Sequence, residues 1–340
     1  MDKAAVTQTE DIRPRRRGCV GHCKKFWWAY LALLVVIVVI VVPVILLVAV
    51  PKIAQGKLDD AKLFLDSTVI SNTQTKSLTM KLDTTIKSDG SVHAKIAGFP
   101  GVMYLEDYQP HTPFAKIDFP QTTSDAHQVV NVTQDLPIED EAALTRFNTW
   151  LLSNETVRVT VEGETHVRVK GIARNYGVTF RSTLDTPGMR GLDGTVVNDT
   201  RASLEHDALD NNFWGMAYIP NHSVFNIELG NLTYINYLLG KEIGTVYIDN
   251  VVLNSGMNKF PMRATITDLG AVLEALGTDA FCKGDKKGIL PLQIRCSEVV
   301  NHGQPLPYFA NALGAHNQTI EIDIGGTVKK MGLDIPCGGL

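Results

Sequence analysis

Between Ala29 and Val50 the chain carries no charged residue. A helix of that length is roughly 33 Å long, enough to cross the hydrocarbon core of a bilayer once. The run LALLVVIVVIVVPVILLVAV is too long for the apolar core of a signal peptide, and no clear small-x-small cleavage site follows it, so it reads as a retained anchor. Arg13, Arg15, Arg16, Arg17, Lys24 and Lys25 crowd its N-terminal flank, against Lys52 and Lys57 on the other. Positive charge stays in the cytosol, which predicts a cytosolic tail and a lumenal C-terminal part. Trp27, Trp28 and Tyr30 fall where interfacial aromatics belong, and Pro43 predicts a kink.

Composition separates the two sides of the anchor. Up to Trp28 there are seven Lys/Arg and three Asp/Glu, which leaves 25 against 33, a net of −8, for the rest of the chain. A nucleic-acid partner needs the opposite balance. Sequons stand at Asn131, Asn154, Asn198, Asn221, Asn231 and Asn317, all after the anchor, as candidate glycan sites on a lumenal domain. Cys19 and Cys23, beside basic and aromatic residues at the membrane edge, are candidates for S-acylation. Cys282, Cys296 and Cys337 allow one bridge with one thiol left over. Because Cys282 and Cys296 share one short segment, the expected pair is Cys282–Cys296.

The lumenal sequence resembles itself. Leu65 to Ile70 answers Leu192 to Val197, SVHAKIAG from Ser91 answers SVFNIELG from Ser223, and Ile117-Asp118 answers Ile248-Asp249. NETVRVTVEG from Asn154 answers NQTIEIDIGG from Asn317 with a larger offset. That order predicts two related units, about 53–185 and 186–327, the second carrying an insertion near 278–305, with a tail over 328–340. Period-two alternation predicts strands at Leu78 to Ile86, Val224 to Leu229, Val246 to Val251 and Ile320 to Ile324, and a hairpin through Val157 to Val169. Pro137 to Leu152 carries Leu144, Phe147, Leu151 and Leu152 on one face behind Glu139, Asp140 and Glu141, and predicts a helix. Its counterpart in the second unit is Leu269 to Leu276 or Tyr308 to Leu313. The fold class is mainly β, a single transmembrane helix followed by two tandem β-sandwich domains, each with a short helix.

The basic tail, the single anchor and the paired units with SVHAKIAG and NETVRVTVEG resemble the fungal DUF3712 membrane proteins, with tandem LEA-2-like domains. The resemblance implies immunoglobulin-like sandwiches and residence in the vacuolar or lysosomal membrane, with the plasma membrane as the alternative. It also implies a link to the ending of autophagy and a lipid-binding groove. It transfers no functional residue.

No nucleotide, zinc-protease, serine-hydrolase or calcium-loop motif is present, and no two of the nine histidines lie within four residues of each other, so no enzyme, cofactor or metal is expected. The leading expectation is a non-enzymatic, glycosylated type II membrane protein whose lumenal modules bind a protein partner or sense the compartment. The alternative is a lumenal lipid-binding or lipid-transfer protein. Its groove would be lined by Val157, Val159 and Val161 and by Ile320, Ile322 and Ile324, although such branched faces ordinarily fill a core.

Overall fold

The computed structural model describes residues 19–283 and 286–332, which fall into two units, one ending at Ile53 and one beginning at Ala54. The first is helical. Helix α1 (Cys19–Val44) runs into a π-helical turn, Ile45–Ala49, and then into α2 (Val50–Asp59). Pro43 has no N–H to continue the ladder, and the wider turn follows directly after it. Within Phe26–Asp59 the most apolar window has a mean hydropathy of 3.7 and none of it is buried, so this helix is long and apolar enough to cross a membrane.

The unit from Ala54 onward is mainly β and has its own apolar core. Its first half has two layers. Strands β1 (Lys62–Ser71), β2 (Ser77–Lys87) and β7 (His127–Pro137) pair antiparallel in the order β1-β2-β7. The second layer is built on β8 (Thr156–Val169), flanked by β4 (Phe99–Leu105) and β9 (Tyr176–Pro187). Three short strands, β3 (Ala94–Ile96), β5 (Ala115–Phe119) and β6 (Thr122–Thr123), complete it. Alternation sends Leu78, Met80 and Leu82 of β2 and Val157, Val159 and Val161 of β8 inward, where all six are buried. Helix α3 (Glu141–Ser153) starts four residues later than the expected Pro137, which ends β7. The Asp140 side chain accepts from Ala143 N–H at 2.8 Å, so that carboxylate is a cap as well as a favourable charge at the helix start.

The second half closes on itself. Strands β10 (Val196–Ala202), β11 (Phe213–Asn221), β12 (Phe225–Leu238), β13 (Lys241–Leu253), β14 (Gly256–Ile266), β15 (Ile289–Asn301) and β17 (Gln318–Asp323) form a ring, while β16 (Gln304–Pro305) adds a short edge to β15. Around the ring the order is β12-β13-β14-β11-β10-β17-β15, and β15 returns to β12. Closure runs from Asn231↔Val300 to Tyr237↔Gln293. The second half is therefore a closed barrel where a two-sheet sandwich was expected. The physical reason lies in the segment 278–305: it supplies β15, the strand whose two edges pair with both β12 and β17 and leave no open edge.

The barrel wall continues into the first half. The N-terminal part of β12 pairs in parallel with β1, from Thr68↔Phe225 to Ile70↔Ile227, before the strand turns to β15 at a bulge by Gly230. Gly230 has φ +78°, and a Cβ there would lie 2.5 Å from Val300 O, so the crossing needs glycine. A polar cluster fastens the same place. Glu228 Oε2 accepts from Asn72 N–H at 2.6 Å and Oε1 accepts from Asn301 Nδ2 at 3.1 Å, while Asn301 Nδ2 also lies 2.8 Å from Thr73 Oγ1. Helices α4 (Leu269–Leu276), α5 (Asp279–Cys282), α6 (Pro307–Leu313) and α7 (Gly325–Lys330) lie between or after the barrel strands. Both segments named as counterparts of α3 are helical. It is α6 that leads into β17 as α3 leads into β8, and α3 packs on α6.

Candidate functional site: an uncharged cavity in the barrel

Inward-facing residues of the seven strands do not fill the barrel. They surround a cavity of about 170 Å³ whose wall includes Val197, Ile248, Met262, Ala264, Leu292 and Ile322. Barrels of this strand number are at the size where the interior is either filled by side chains or holds one small ligand. The volume is similar to that of an engineered apolar cavity, about 150 Å³, that stays dry and accepts benzene. The wall contains no Lys, Arg, His, Asp or Glu. At one end α4, α7 and the loop after β10 surround the mouth, and three of their leucines both line the cavity and face outward: Leu204 is 70% exposed, Leu273 54% and Leu269 45%. Asp268 caps α4 by accepting from Ala271 N–H at 2.9 Å, so this short, almost wholly apolar helix starts directly at the end of β14.

The two triplets expected to line a groove part company. Ile320, Ile322 and Ile324 line the cavity. Val157, Val159 and Val161 are buried in the first half's packed core and line none of the described cavities, which corrects the expectation for that triplet. The physical reason is that β8 faces a second layer across an ordinary core, whereas β17 faces the lumen of a closed ring. A smaller cavity of about 80 Å³ lies between the layers of the first half, lined by Leu63, Ile86 and Val130 on one side and Phe99, Val167 and Phe180 on the other.

Cysteine pairing also differs from expectation. Cys282 is disulfide-bonded, but Cys296 is a free, buried thiol, so the bridge is not Cys282–Cys296. Cys296 stands seven positions along β15 from Ile289, roughly 23 Å from the α5 end of that strand, whereas a disulfide needs its two Cα atoms within about 7 Å. The strand's register sets Cys296 opposite Tyr234 in the barrel wall. Burial pushes its thiol up to about 12, which keeps it protonated and unreactive. Cys337 lies outside the described residues. Cys19 and Cys23 fall in the first turns of α1.

The six sequon asparagines are not equivalent. Asn131, Asn231 and Asn317 are exposed, and Asn198 is half-buried. Asn154 caps the end of α3, its Nδ2 donating to Trp150 O at 3.0 Å. Asn221 is buried: its Nδ2 donates to Phe225 O at 2.7 Å and its Oδ1 accepts from Ser223. The nitrogen that would carry a glycan there is enclosed, which corrects Asn221 as a glycan site. Among the described residues no group of three or more His, Cys, Asp or Glu is arranged to hold a metal.

The polar residues of the cavity wall, Asn236 among them, are not singled out by the sequence. On β12, Leu232, Tyr234, Asn236 and Leu238 share the inward face, and Asn236 is the polar member set at a core position of an alternating strand. The signal was present in the alternation of LTYINYL, but only the barrel shows which side is the lumen.

Fold and cavity define a chain with one N-terminal helix long and apolar enough to cross a membrane and a mainly β body that carries a closed barrel around an uncharged cavity. Residues 112–235, from the loop before β5 to well into β12, match the model of DUF3712, described as a protein of unknown function. No curated protein matches the sequence. Among solved structures the chain aligns with the YadV chaperone at 8% identity and a TM-score of 0.19, covering 73% of this chain and 96% of that one. It aligns with an adhesin from Mobiluncus mulieris at 9% identity and a TM-score of 0.19, covering 77% and 98%. The CooA pilin subunit of enterotoxigenic Escherichia coli gives 12% identity and a TM-score of 0.13, covering 37% and 97%. At these scores the likenesses carry no argument about fold or function.

Proposed function

We propose that the chain is a membrane-anchored, non-enzymatic lipid-binding protein that takes an apolar ligand into its C-terminal barrel. The observation that carries this reading is the uncharged cavity of about 170 Å³ with outward-facing leucines at its mouth. Empty apolar space forfeits dispersion contacts that a ligand of the right shape restores, and a wall without charge favours a ligand's hydrocarbon over any ionised group. The body lies on the lumenal side of a type II topology, supported by six flanking cations before the span against two after it. In this reading the first half is the LEA-2-like sandwich of the resemblance, and residence is vacuolar, with a plasma-membrane site as the alternative that imaging separates.

The second reading, a module that binds a protein partner, is favoured by the exposed apolar patch of Leu204, Leu269 and Leu273, which a partner could cover as readily as a membrane. Native mass spectrometry of the ectodomain, secreted by a eukaryotic host, distinguishes the two. Lipid binding gives a population heavier than the glycoprotein by the mass of one lipid, released by collisional activation. Protein that emerges lipid-free and takes up none from added phospholipid, sterol or long-chain alcohol removes the lipid reading and leaves the partner module.

A further inference from the structure

Asn236 is 2% exposed and lines the barrel cavity, and its Oδ1 has no hydrogen-bond partner. Tyr234, two residues back on the same inward face of β12, also lines the cavity, and the remaining polar side chains of the wall are engaged. Thr195 Oγ1 donates to Leu192 O at 2.7 Å, and Thr327 Oγ1 donates to Thr200 O at 2.6 Å. Asn212 exchanges two bonds with the Ile266 backbone, Gln318 Nε2 donates to Leu313 O, and Ser203 Oγ accepts from Glu205 N–H. The residues beside Asn236 on the neighbouring strands are Gly244 and Ile294, whose side chains offer no donor. A buried amide oxygen without a donor is costly, and native structures satisfy nearly all such groups with protein, ordered water or ligand; of the buried unpartnered side-chain atoms among the described residues, Asn236 Oδ1 is the one whose residue lines the barrel cavity.

We infer that the barrel's ligand is a neutral lipid carrying a hydroxyl group, which donates to Asn236 Oδ1 while its hydrocarbon fills the rest of the cavity. The inference rests on the lipid-binding reading and deepens it. A carboxylate ligand is disfavoured because the wall holds no cation to meet its charge, and an ionised carboxylate has no proton to give. An ether or ester oxygen only accepts, so it leaves the amide oxygen as it was. A hydroxyl is the smallest uncharged group that donates. It is common to sterols and long-chain alcohols, and the sources are separated by which of them the protein takes up.

The unit from Ala54 onward has its own core, in which no residue before Ala54 takes part, so the ectodomain 50–340 is a suitable sample. Delipidated ectodomain is titrated calorimetrically with decanol, decyl methyl ether and decanoate at neutral pH, and with ergosterol in a separate displacement arm. Decanol is expected to bind about tenfold more tightly than the ether, the value of one net hydrogen bond, and decanoate more weakly than either. In Asn236→Leu the preference for alcohol over ether disappears while the affinity for the ether is kept. Equal binding of decanol and ether by the native ectodomain, tighter binding of decanoate, or an undiminished preference in Asn236→Leu each overturns the hydroxyl assignment. The native comparison stands even if the variant fails to fold. If no probe binds at all, the lipid-binding reading itself falls. If the ether binds as tightly as the alcohol, the lipid-binding reading survives and the hydroxyl assignment alone is lost.

Discussion

Replacing Ala264 by leucine asks whether the barrel is hollow. Ala264 lies two residues before the end of β14, between Phe213 and Val246, is fully buried and lines the cavity. Leucine adds three carbons, and at about 0.8 kcal/mol per buried carbon their transfer into existing space is worth about 2.4 kcal/mol. Loss of rotamer freedom takes back about 0.5–1 kcal/mol, leaving a net gain of about 1.5 kcal/mol. For a body of this size that raises the melting temperature by about 3 °C. The same carbons occupy the ligand's space, so lipid uptake falls while stability rises. Ala312→Leu on α6 is the control: Ala312 is also buried but lines none of the described cavities, and overpacking there costs about 1–3 kcal/mol. Calorimetric melting of the delipidated ectodomain reads both variants. A lower melting point for Ala264→Leu, matching the control, would refute the reasoning, because a filled barrel predicts a loss where a hollow one predicts a gain.

The remaining expectations test parts of the structure outside the cavity. Changing Asn131, Asn231 or Asn317 to Gln each removes one step of endoglycosidase-sensitive mobility, while Asn221→Gln changes none; a step lost with Asn221→Gln contradicts the burial of that side chain. Native ectodomain exposes no reactive thiol at Cys296, whose pKa is raised to about 12, until it is unfolded, and Cys282 becomes alkylatable only on reduction; peptide mapping after staged alkylation reads both. Burial pushes the Glu228 carboxyl up, but hydrogen bonds from Asn301 and Asn72, together with His302, outweigh it and hold the group below its ordinary 4.5. Its stabilisation is complete above pH 4.5 and is lost as pH falls through the lower folded value. Stability measured against pH therefore has an acid limb that Glu228→Gln flattens, and an unchanged limb in that variant sinks the assignment.

What was legible in the sequence was local. Alternation located β2, β12, β13 and β17, the apolar stripe of Leu144, Phe147 and Leu151 located α3, and the charge-free run located α1; the hairpin expected through Val157 to Val169 is instead the single strand β8, because Gly163 stays extended and pairs with Phe180 of β9. Each of these patterns is written within a few turns or pleats of chain. Barrel closure was not legible, because the pairing of Tyr234 with Cys296 joins residues 62 positions apart, and nothing in either strand's own alternation names its neighbour. For the same reason Ile320, Ile322 and Ile324 looked like Val157, Val159 and Val161. Inward-facing branched residues read identically whether they face a second layer or a lumen. Cys282 and Cys296 are close in sequence but do not pair, because an extended strand carries Cys296 away from α5. Asn221 shows the same limit at a motif: Asn-His-Ser satisfies the acceptor pattern, yet the side chain is spent on the turn between β11 and β12.

A crystal structure of the ectodomain 50–340 grown with bromodecanol, read by the anomalous signal of bromine, tests the hollow barrel most directly. The expected result is one bromine site inside the ring, among Ala264, Ile322 and Leu292, with the alcohol oxygen within hydrogen-bond distance of Asn236 Oδ1. A lumen closed by its own side chains, or bromine bound only on the outer surface, would contradict it.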